Sequence, residues 1–245
     1  ERPCLEMGSR RAQEQAAVAA ARATAVAGFA GTSNLEAGRR YGLPTIGTAA
    51  HAFTLLHDDE LSAFASQVAS AGPGTTLLVD TYDVEQGVIT AVEAAGTALG
   101  AGRLDSGDLP TVAREVRDQL DGLGATATKI VVSSDLDEYA IAALAVAPVD
   151  SYGVGTSVVT GSGAPTCGMV YKLVLREGAD GEMRAVAKAS AGGKSSVGGR
   201  KVAGRRIEHG LATEEIVVLS PDGDLPTLEG AEVADVRELM VALVV

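Results

Sequence analysis

The stretch that decides the fold is "TTLLVDTYDVEQGVITAVEAAGTALGAGRLDSGD", Thr75–Asp108. It opens on a short apolar run, Thr75–Asp80, of strand length. "EQGVITAVEAAGTAL" follows with helical character, and "GAGRLD" begins the next strand. The rhythm continues through helical "LPTVAREVRDQLDGLG", strand "KIVVSSD", helical "LDEYAIAALAVA" and strand "VDSYGVGT". Strand starts fall near 75, 100, 128 and 149, about every 25 residues. Strands alternating with helices at that spacing predict βαβ units and a parallel sheet.

Upstream, "RRAQEQAAVAAARATAVAGF" (Arg10–Phe29) predicts an Ala-rich helix with no proline to break it. "TSNLEAGRRYG" predicts a short helix capped by Thr32 or Ser33 and closed by Gly42. Downstream of Pro165 the pattern changes. "CGMVYKLVLRE" and "GEMRAVAKAS" alternate around "GADG", which predicts a β-hairpin. "GGKSSVGGRKVAGRR" is a basic, Gly-rich island around Lys194 and Lys201, readable as a solvated loop or as an arm that reaches phosphates. The tail is expected to be a loop and one helix. The division expected is residues 1–165 as a β/α core and 166–245 as hairpin, basic segment and terminal helix.

Composition narrows the function. Of 245 residues 46% are hydrophobic, so a full core can be buried, yet aromatics are 3% and Trp is absent. The core must be built from Ala, Val, Leu and Ile, as buried parallel strands often are. A net charge of −12 argues against a general nucleic-acid or anionic-membrane binder, whose affinity rests on a basic surface. Cys4 and Cys167 lie far apart and form no CxxC pair, so reduced thiols in a cytoplasmic protein are expected. No apolar run reaches the roughly 18 residues that span a bilayer. The chain opens "ERPCLEMG", without Met or a signal segment, and reads as the middle of a protein.

Each predicted strand ends in polar residues: Asp80 and Asp83, Arg103 and Asp105, Ser133 to Asp137, Gly153 to Ser157. In β/α barrels the carboxy-terminal strand ends form the active-site face. Helix capping is the competing explanation, and it suits Asp108 and Asp135. It suits an Arg beside a carboxylate, Arg103 and Asp105, poorly. The four carboxylates Asp80, Asp83, Asp105 and Asp108 could bind a cation, bind a ribose diol, or cap helices. Gly-x-Gly-Thr-Ser at 153–157 fits a phosphate cradle and a structural tight turn about equally. His51 has no second His at metal spacing; His57 follows six residues on and is expected on a solvated helix face. His51 is therefore a core residue or an acid–base or nucleophilic group.

Seven segments in order, "EMGSRRAQ", "GFAGTSNLEAGRRYGLPTIGTAAHAF", "LLVDTYD", "RLDSGDL", "SSDLDEYAI", "YGVGTSVVT" and "GMVYKLV", resemble the nicotinate phosphoribosyltransferase family. The resemblance runs from about Leu5 to Arg206. It implies an irregular β/α barrel of the type II phosphoribosyltransferase kind with a small β-rich carboxy-terminal part. It implies transfer of phosphoribosyl from 5-phosphoribosyl-1-diphosphate to nicotinate, forming nicotinate mononucleotide and diphosphate, with Mg²⁺ and with ATP as co-substrate. His51 stands where the family's histidine is phosphorylated by ATP. Arg10 and Arg11 match a pair facing base and phosphates, the second suiting a carboxylate-bearing base. Arg103 and Asp105 match the motif that meets base, ribose and diphosphate. Asp135 matches the ribose-side acid, and Asp80 is expected among the substrate-binding residues. Gly153, Gly155, Thr156 and Ser157 match the 5′-phosphate loop, and Lys172 matches a further family position. The family also implies a homodimer or higher oligomer and an amino-terminal domain that completes the site. The alternatives are a type II enzyme for nicotinamide or quinolinate, or a barrel that binds phosphoribosyl ligands or a partner chain without turnover.

Overall fold

Six parallel strands build the main sheet: β1 (Cys4–Glu6), β2 (Gly31–Thr32), β3 (Thr76–Leu78), β4 (Ala101–Leu104), β5 (Lys129–Ser133) and β6 (Ser151–Val154). The computed structural model describes residues 2–161, 163, 166, 170–189, 195–220 and 236–238. The strand order is β2-β1-β6-β5-β4-β3, so β6 returns to pair with β1. That cyclic order is the order of a barrel, and the sheet curls into an open one. The four strands read from periodicity are β3 to β6, each within two residues of its expected start. β1 and β2 were not among them. They are two and three residues long, too short to carry a period.

The eight α-helices among the described residues are α1 (Glu14–Val26), α2 (Leu35–Tyr41), α3 (His51–Leu55), α4 (Glu60–Ala71), α5 (Val84–Ala95), α6 (Leu109–Gly122), α7 (Glu138–Ala143) and α8 (Thr156–Thr160). α6 buries Leu109, Ala113, Val116 and Leu120, a stripe at helical spacing. It meets a core of Leu77, Val79, Leu104, Ile130 and Val132. Each such side chain contributes about 1.5–3 kcal/mol by leaving water. Phe64 of α4 and Tyr152 of β6 are the buried aromatics of this core. α5 presses on β3 at Gly87, where a Cβ would lie 2.3 Å from the Val79 carbonyl oxygen. Glycine inside a helix normally costs about 1 kcal/mol relative to alanine; here the close approach requires it. A cavity of about 690 Å³ opens at the amino-terminal ends of the strands, lined by Leu5, Thr76, Ala101, Lys129 and Ser151 among others.

Several expected boundaries move. The first helix begins at Glu14, and Arg10 and Arg11 sit before it in a 3-10 turn, Ser9–Arg11. The cap of α2 is Asn34, whose side chain accepts from the Ala37 N–H, rather than Thr32 or Ser33; Gly42 closes the helix at φ 66°. The helical run from His51 breaks at Leu56–Asp59 because Asp59 caps α4, its carboxylate accepting from Ser62 N. His57 is half-buried instead of solvated, its Nδ1 2.8 Å from the Phe53 carbonyl oxygen.

The described residues divide into two compact units, with boundaries at Tyr171/Lys172, Lys188/Ala189 and Ser195/Ser196. The second unit holds the expected hairpin, β7 (Leu175–Glu177) against β8 (Met183–Ala185). It also holds an antiparallel sheet of β9 (Arg200–Glu208), β10 (Leu211–Ser220) and β11 (Val236–Glu238), in the order β10-β9-β11. Half of the basic island is therefore strand, not loop. His209 and Gly210 both take positive φ, 50° and 80°, which lets a two-residue turn join β9 to β10. Ion pairs Arg205–Glu215 and Arg206–Glu214 lie across that hairpin. Residues 236–238 are strand where a terminal helix was expected. Cys167 and Lys194 lie outside the described residues.

Candidate active site

The polar ends of β3, β4 and β5 are tied together by side-chain hydrogen bonds. Asp80, directly after β3, is 1% exposed. Its Oδ2 accepts from the Asp105 N–H at 3.1 Å and the Ser106 hydroxyl at 2.7 Å, both just beyond β4. Ser133, the last residue of β5, donates to Asp105 Oδ1 at 2.7 Å. Two carboxylates are thus fixed on one rim, each accepting hydrogen bonds from its neighbours.

His51 opens α3 beside them. Its Nδ1 lies 3.1 Å from the Thr81 hydroxyl, and its Nε2 lies 3.6 Å from Asp80 Oδ1 and 3.9 Å from Asp105 Oδ2. Carboxylates facing Nε2 favour a proton there, and the Thr81 hydroxyl then donates to Nδ1. The side chain keeps 18% of its exposure, so the ring is reachable. His51 is not a core histidine.

Arg103 supplies the neighbouring cation. It donates to the Thr48 hydroxyl from NH1, and its Nε is buried without a partner. Burial pulls its pKa below the usual arginine range; Asp105 and Asp80 oppose that, and the charge of Arg10 adds to it. Arg10 is therefore near enough to Arg103 for their charges to interact. Its 3-10 turn is pinned by a buried network. Glu6 accepts from Gly8 N and the Thr32 hydroxyl, Thr32 Oγ1 accepts from Asn34 N, and Asn34 donates to Ser9 Oγ at 3.0 Å. Arg11 is half-buried in the same turn.

The other expected residues have looser ties. Gly153 and Gly155 allow close packing at the end of β6: a Cβ on Gly153 would lie 2.7 Å from Met7 Sδ, and one on Gly155 3.2 Å from the Met7 carbonyl oxygen. Thr156 and Ser157 open α8. Asp135 is exposed in the turn after β5, and the capping residue there is Asp137, bonded to Ala140 N. Asp83 caps α5, while Asp108 accepts from the Thr111 hydroxyl at 2.8 Å. Both leave the carboxylate cluster for helix ends. Lys172 is exposed at the start of the second unit. Among the described residues no group of three or more His, Cys, Asp or Glu is arranged to hold a metal.

Thr48, Thr81, Ser106 and Ser133 were not singled out individually, although each lies inside or beside a quoted motif. Glu60 was missed entirely. It begins α4, its Oε1 is buried without a partner, and its pKa is raised to about 7 by burial first, then by Asp80 and Asp83.

Comparison with known proteins gives the family and the fold. The family model for the nicotinate phosphoribosyltransferase (NAPRTase) family matches residues 3–173. Nicotinate phosphoribosyltransferase pncB1 of Mycobacterium tuberculosis is 59% identical over 235 residues, 93% of this chain and 51% of the relative. The nicotinate phosphoribosyltransferase of Bacillus subtilis is 42% identical over 197 residues, 76% of this chain and 40% of the relative. A crystal structure of nicotinate-nucleotide pyrophosphorylase from Pyrococcus furiosus superposes with TM-score 0.60 at 27% identity, covering 97% of this chain and 58% of that one. Nicotinate phosphoribosyltransferase from Porphyromonas gingivalis shares the fold, with TM-score 0.69 at 21% identity over 80% of this chain and 56% of that one. The chain spans about half the length of the curated relatives it matches. No helix among the described residues is long and apolar enough to cross a membrane. By its sequence motifs, its barrel and the family model that matches most of its length, the chain belongs to the nicotinate phosphoribosyltransferase family.

Proposed function

We infer that this chain carries the transfer site of a nicotinate phosphoribosyltransferase acting in NAD biosynthesis. Nicotinate and 5-phosphoribosyl-1-diphosphate become nicotinate mononucleotide and diphosphate, with ATP hydrolysis coupled through phosphorylation of His51. The observation that carries the reading is the reachable His51 ring between Thr81 and the paired carboxylates Asp80 and Asp105.

Breaking the ribose C1–O bond gives an oxocarbenium-like centre. Charge placement therefore matters more than a strong nucleophile. Asp105 and Asp80 are suited to the ribose side, where positive charge develops, and Asp135 to the ribose hydroxyls. Arg103, Arg10 and Arg11 are suited to the nicotinate carboxylate and the diphosphate, which guanidinium groups bind in paired geometry. The segment Gly153, Gly155, Thr156 and Ser157 would take the 5′-phosphate, and Lys172 a further anionic group. Mg²⁺, held by the substrate's own oxygens and water, would neutralise charge on the leaving diphosphate. We read the protein as cytoplasmic, as a homodimer or higher oligomer, and as completed at the site by an amino-terminal domain.

The test is an assay with nicotinate, nicotinamide and quinolinate, each with phosphoribosyl diphosphate and with or without ATP. Radiolabelled ATP should label wild-type protein in an acid-labile way, and His51→Ala should lose that label. Label retained in His51→Ala, or turnover of quinolinate alone, overturns the reading.

A further inference from the structure

Arg103 sits near two acids and pairs with neither. The charges of Asp105 and Asp80 act on it, yet among the described residues no ion pair joins it to either. Both acids are committed elsewhere. Asp80 Oδ2 accepts from Asp105 N and Ser106 Oγ, and Asp105 Oδ1 accepts from Ser133 Oγ. Their other oxygens lie opposite His51 Nε2, at 3.6 and 3.9 Å. The hydrogen bond that Arg103 does make goes to a neutral hydroxyl, that of Thr48. A guanidinium with carboxylates at hand ordinarily binds them in paired geometry, so the choice of Thr48 calls for a reason.

Thr48 is set up to accept. Its own hydroxyl proton goes to the Ala49 carbonyl oxygen at 3.1 Å, which leaves the lone pairs of Oγ1 for Arg103. Thr48 stands three residues before His51, so this bond ties the turn leading into α3 to the third residue of β4. It uses Arg103 Nη1. Arg103 Nε is buried and has no acceptor. Nε and Nη2 share the edge of a guanidinium that grips an oxygen pair; Arg39 grips Glu36 by that edge, with both bonds at 2.7 Å. In Arg103 the same edge is uncommitted among the described residues. The charge of Arg10 also acts there, so the surroundings hold a second cation. Two oxygens of an anion would satisfy Nε and Nη2 together.

We propose that Thr48 is a positioning residue that acts through Arg103: by holding Nη1 it keeps the guanidinium off Asp80 and Asp105 and leaves the Nε–Nη2 edge to an anionic oxygen pair of the substrate. A side chain held in this way has less freedom to lose when the anion arrives. Released from Thr48, it would turn to the neighbouring acids and commit the same donors to them. The proposal rests on the phosphoribosyl-transfer reading for the source of the anion, though not for the hold on Arg103.

Two measurements separate these parts. The first is calorimetric titration of the whole chain with inorganic diphosphate and Mg²⁺, and separately with nicotinate. Thr48→Val keeps the shape of the side chain and removes the acceptor. It should weaken at least one of the two anions by on the order of tenfold, and Thr48→Ser, which keeps the hydroxyl, should restore most of that loss. Loss for one anion alone identifies the group that meets Arg103. Equal affinity of wild type and Thr48→Val for both anions overturns the proposal. So does a loss that Thr48→Ser fails to restore, because that assigns Thr48 to packing. The second is NMR of the arginine Nε–H groups, with the Arg103 signal identified by its absence in Arg103→Lys. Without ligand, that signal should move downfield in Thr48→Val as Nε takes a carboxylate acceptor, and should stay in place in Thr48→Ser. A signal unmoved in Thr48→Val overturns the hold on Arg103. Wild-type protein that binds neither anion counts against the transferase reading, and the Nε–H signal then decides the hold by itself. Amide spectra of the three variants establish that each is folded.

Discussion

Replacing Asp80 tests whether one carboxylate holds the rim together. Asp80 is 1% exposed, and its Oδ2 is the acceptor for Asp105 N and Ser106 Oγ. In Asp80→Ala both donors lose their acceptor, in a turn where Ser106 is only 9% exposed. A buried donor left unsatisfied costs about 1–3 kcal/mol, so the two together cost about 2–6 kcal/mol. Asp80→Asn differs. Its amide oxygen can take the Oδ2 position and keep both bonds, and its NH₂ then replaces the oxygen that had no partner. The charge assistance and the carboxylate oxygen opposite His51 Nε2, 3.6 Å away, are lost, together about 1 kcal/mol. Urea unfolding at neutral pH, followed by circular dichroism, measures both. With a slope of about 1–3 kcal/mol per molar urea, the alanine midpoint should fall well below that of asparagine. If alanine and asparagine unfold within about 0.5 kcal/mol of each other, the Oδ2 bonds do not hold the turn, and the rim as described is wrong.

Gly87→Ala should destabilise by about 1–3 kcal/mol, against the usual gain from alanine in a helix, because its Cβ would meet the Val79 carbonyl oxygen at 2.3 Å; denaturant unfolding measures it, and a stabilised variant removes the close approach of α5 to β3. Glu60 makes stability depend on pH. Its folded pKa is raised from 4.5 to about 7, so the folded chain binds the proton more tightly than the unfolded one. Stability should fall as pH rises from about 4.5 to about 7 and level off above. The full shift corresponds to about 3 kcal/mol, and partial exposure reduces it to on the order of 1 kcal/mol. Glu60→Gln should flatten that stretch of the thermal-melting profile, and an unchanged slope contradicts the assignment. Glu6→Ala should free the turn that carries Arg10 and Arg11, because Gly8 N and the Thr32 hydroxyl lose their acceptor. Faster amide exchange confined to residues 8–11 and 32–34 is the expected result, and unchanged exchange there contradicts it.

The parallel core was legible because its signal is periodic and local. β3 to β6 each follow a helix and begin about 25 residues apart, and a buried parallel strand reads as an apolar run wherever it occurs. β1 and β2 were not legible for a related reason. Gly31–Thr32 is a strand only because Leu5 and Glu6 run alongside it, and nothing in two residues announces a partner 26 positions away. The long β9–β10 hairpin did leave a mark, the His-Gly pair at 209–210, but the lysines and glycines before it drew the reading toward a loop.

The site divides along the same line. Arg103, Asp105, Asp80 and His51 lie in the segments that carry the family resemblance, and the fold brings them to one rim. Asp83 and Asp108 occupy equivalent strand-end positions and go to helix ends instead. The difference is one of distance along the chain. Asp80 directly follows its strand and is held by the neighbouring one. Asp83 falls three residues later, where the chain has turned outward and the nearest unsatisfied groups are the first N–H groups of α5. The residue type is the same in both, so composition cannot separate them; the geometry of the turn does. Glu60 is the reverse case. It lies 20 residues before Asp80 in a segment that reads as an ordinary acidic helix start, where a glutamate is expected to complement the helix dipole. Its buried, partnerless oxygen appears only once α4 has packed against α5 and β3 has delivered Asp80. A side chain whose role depends on three elements meeting has no sequence signature of its own, and in this chain that is where the remaining chemistry of the rim was hidden.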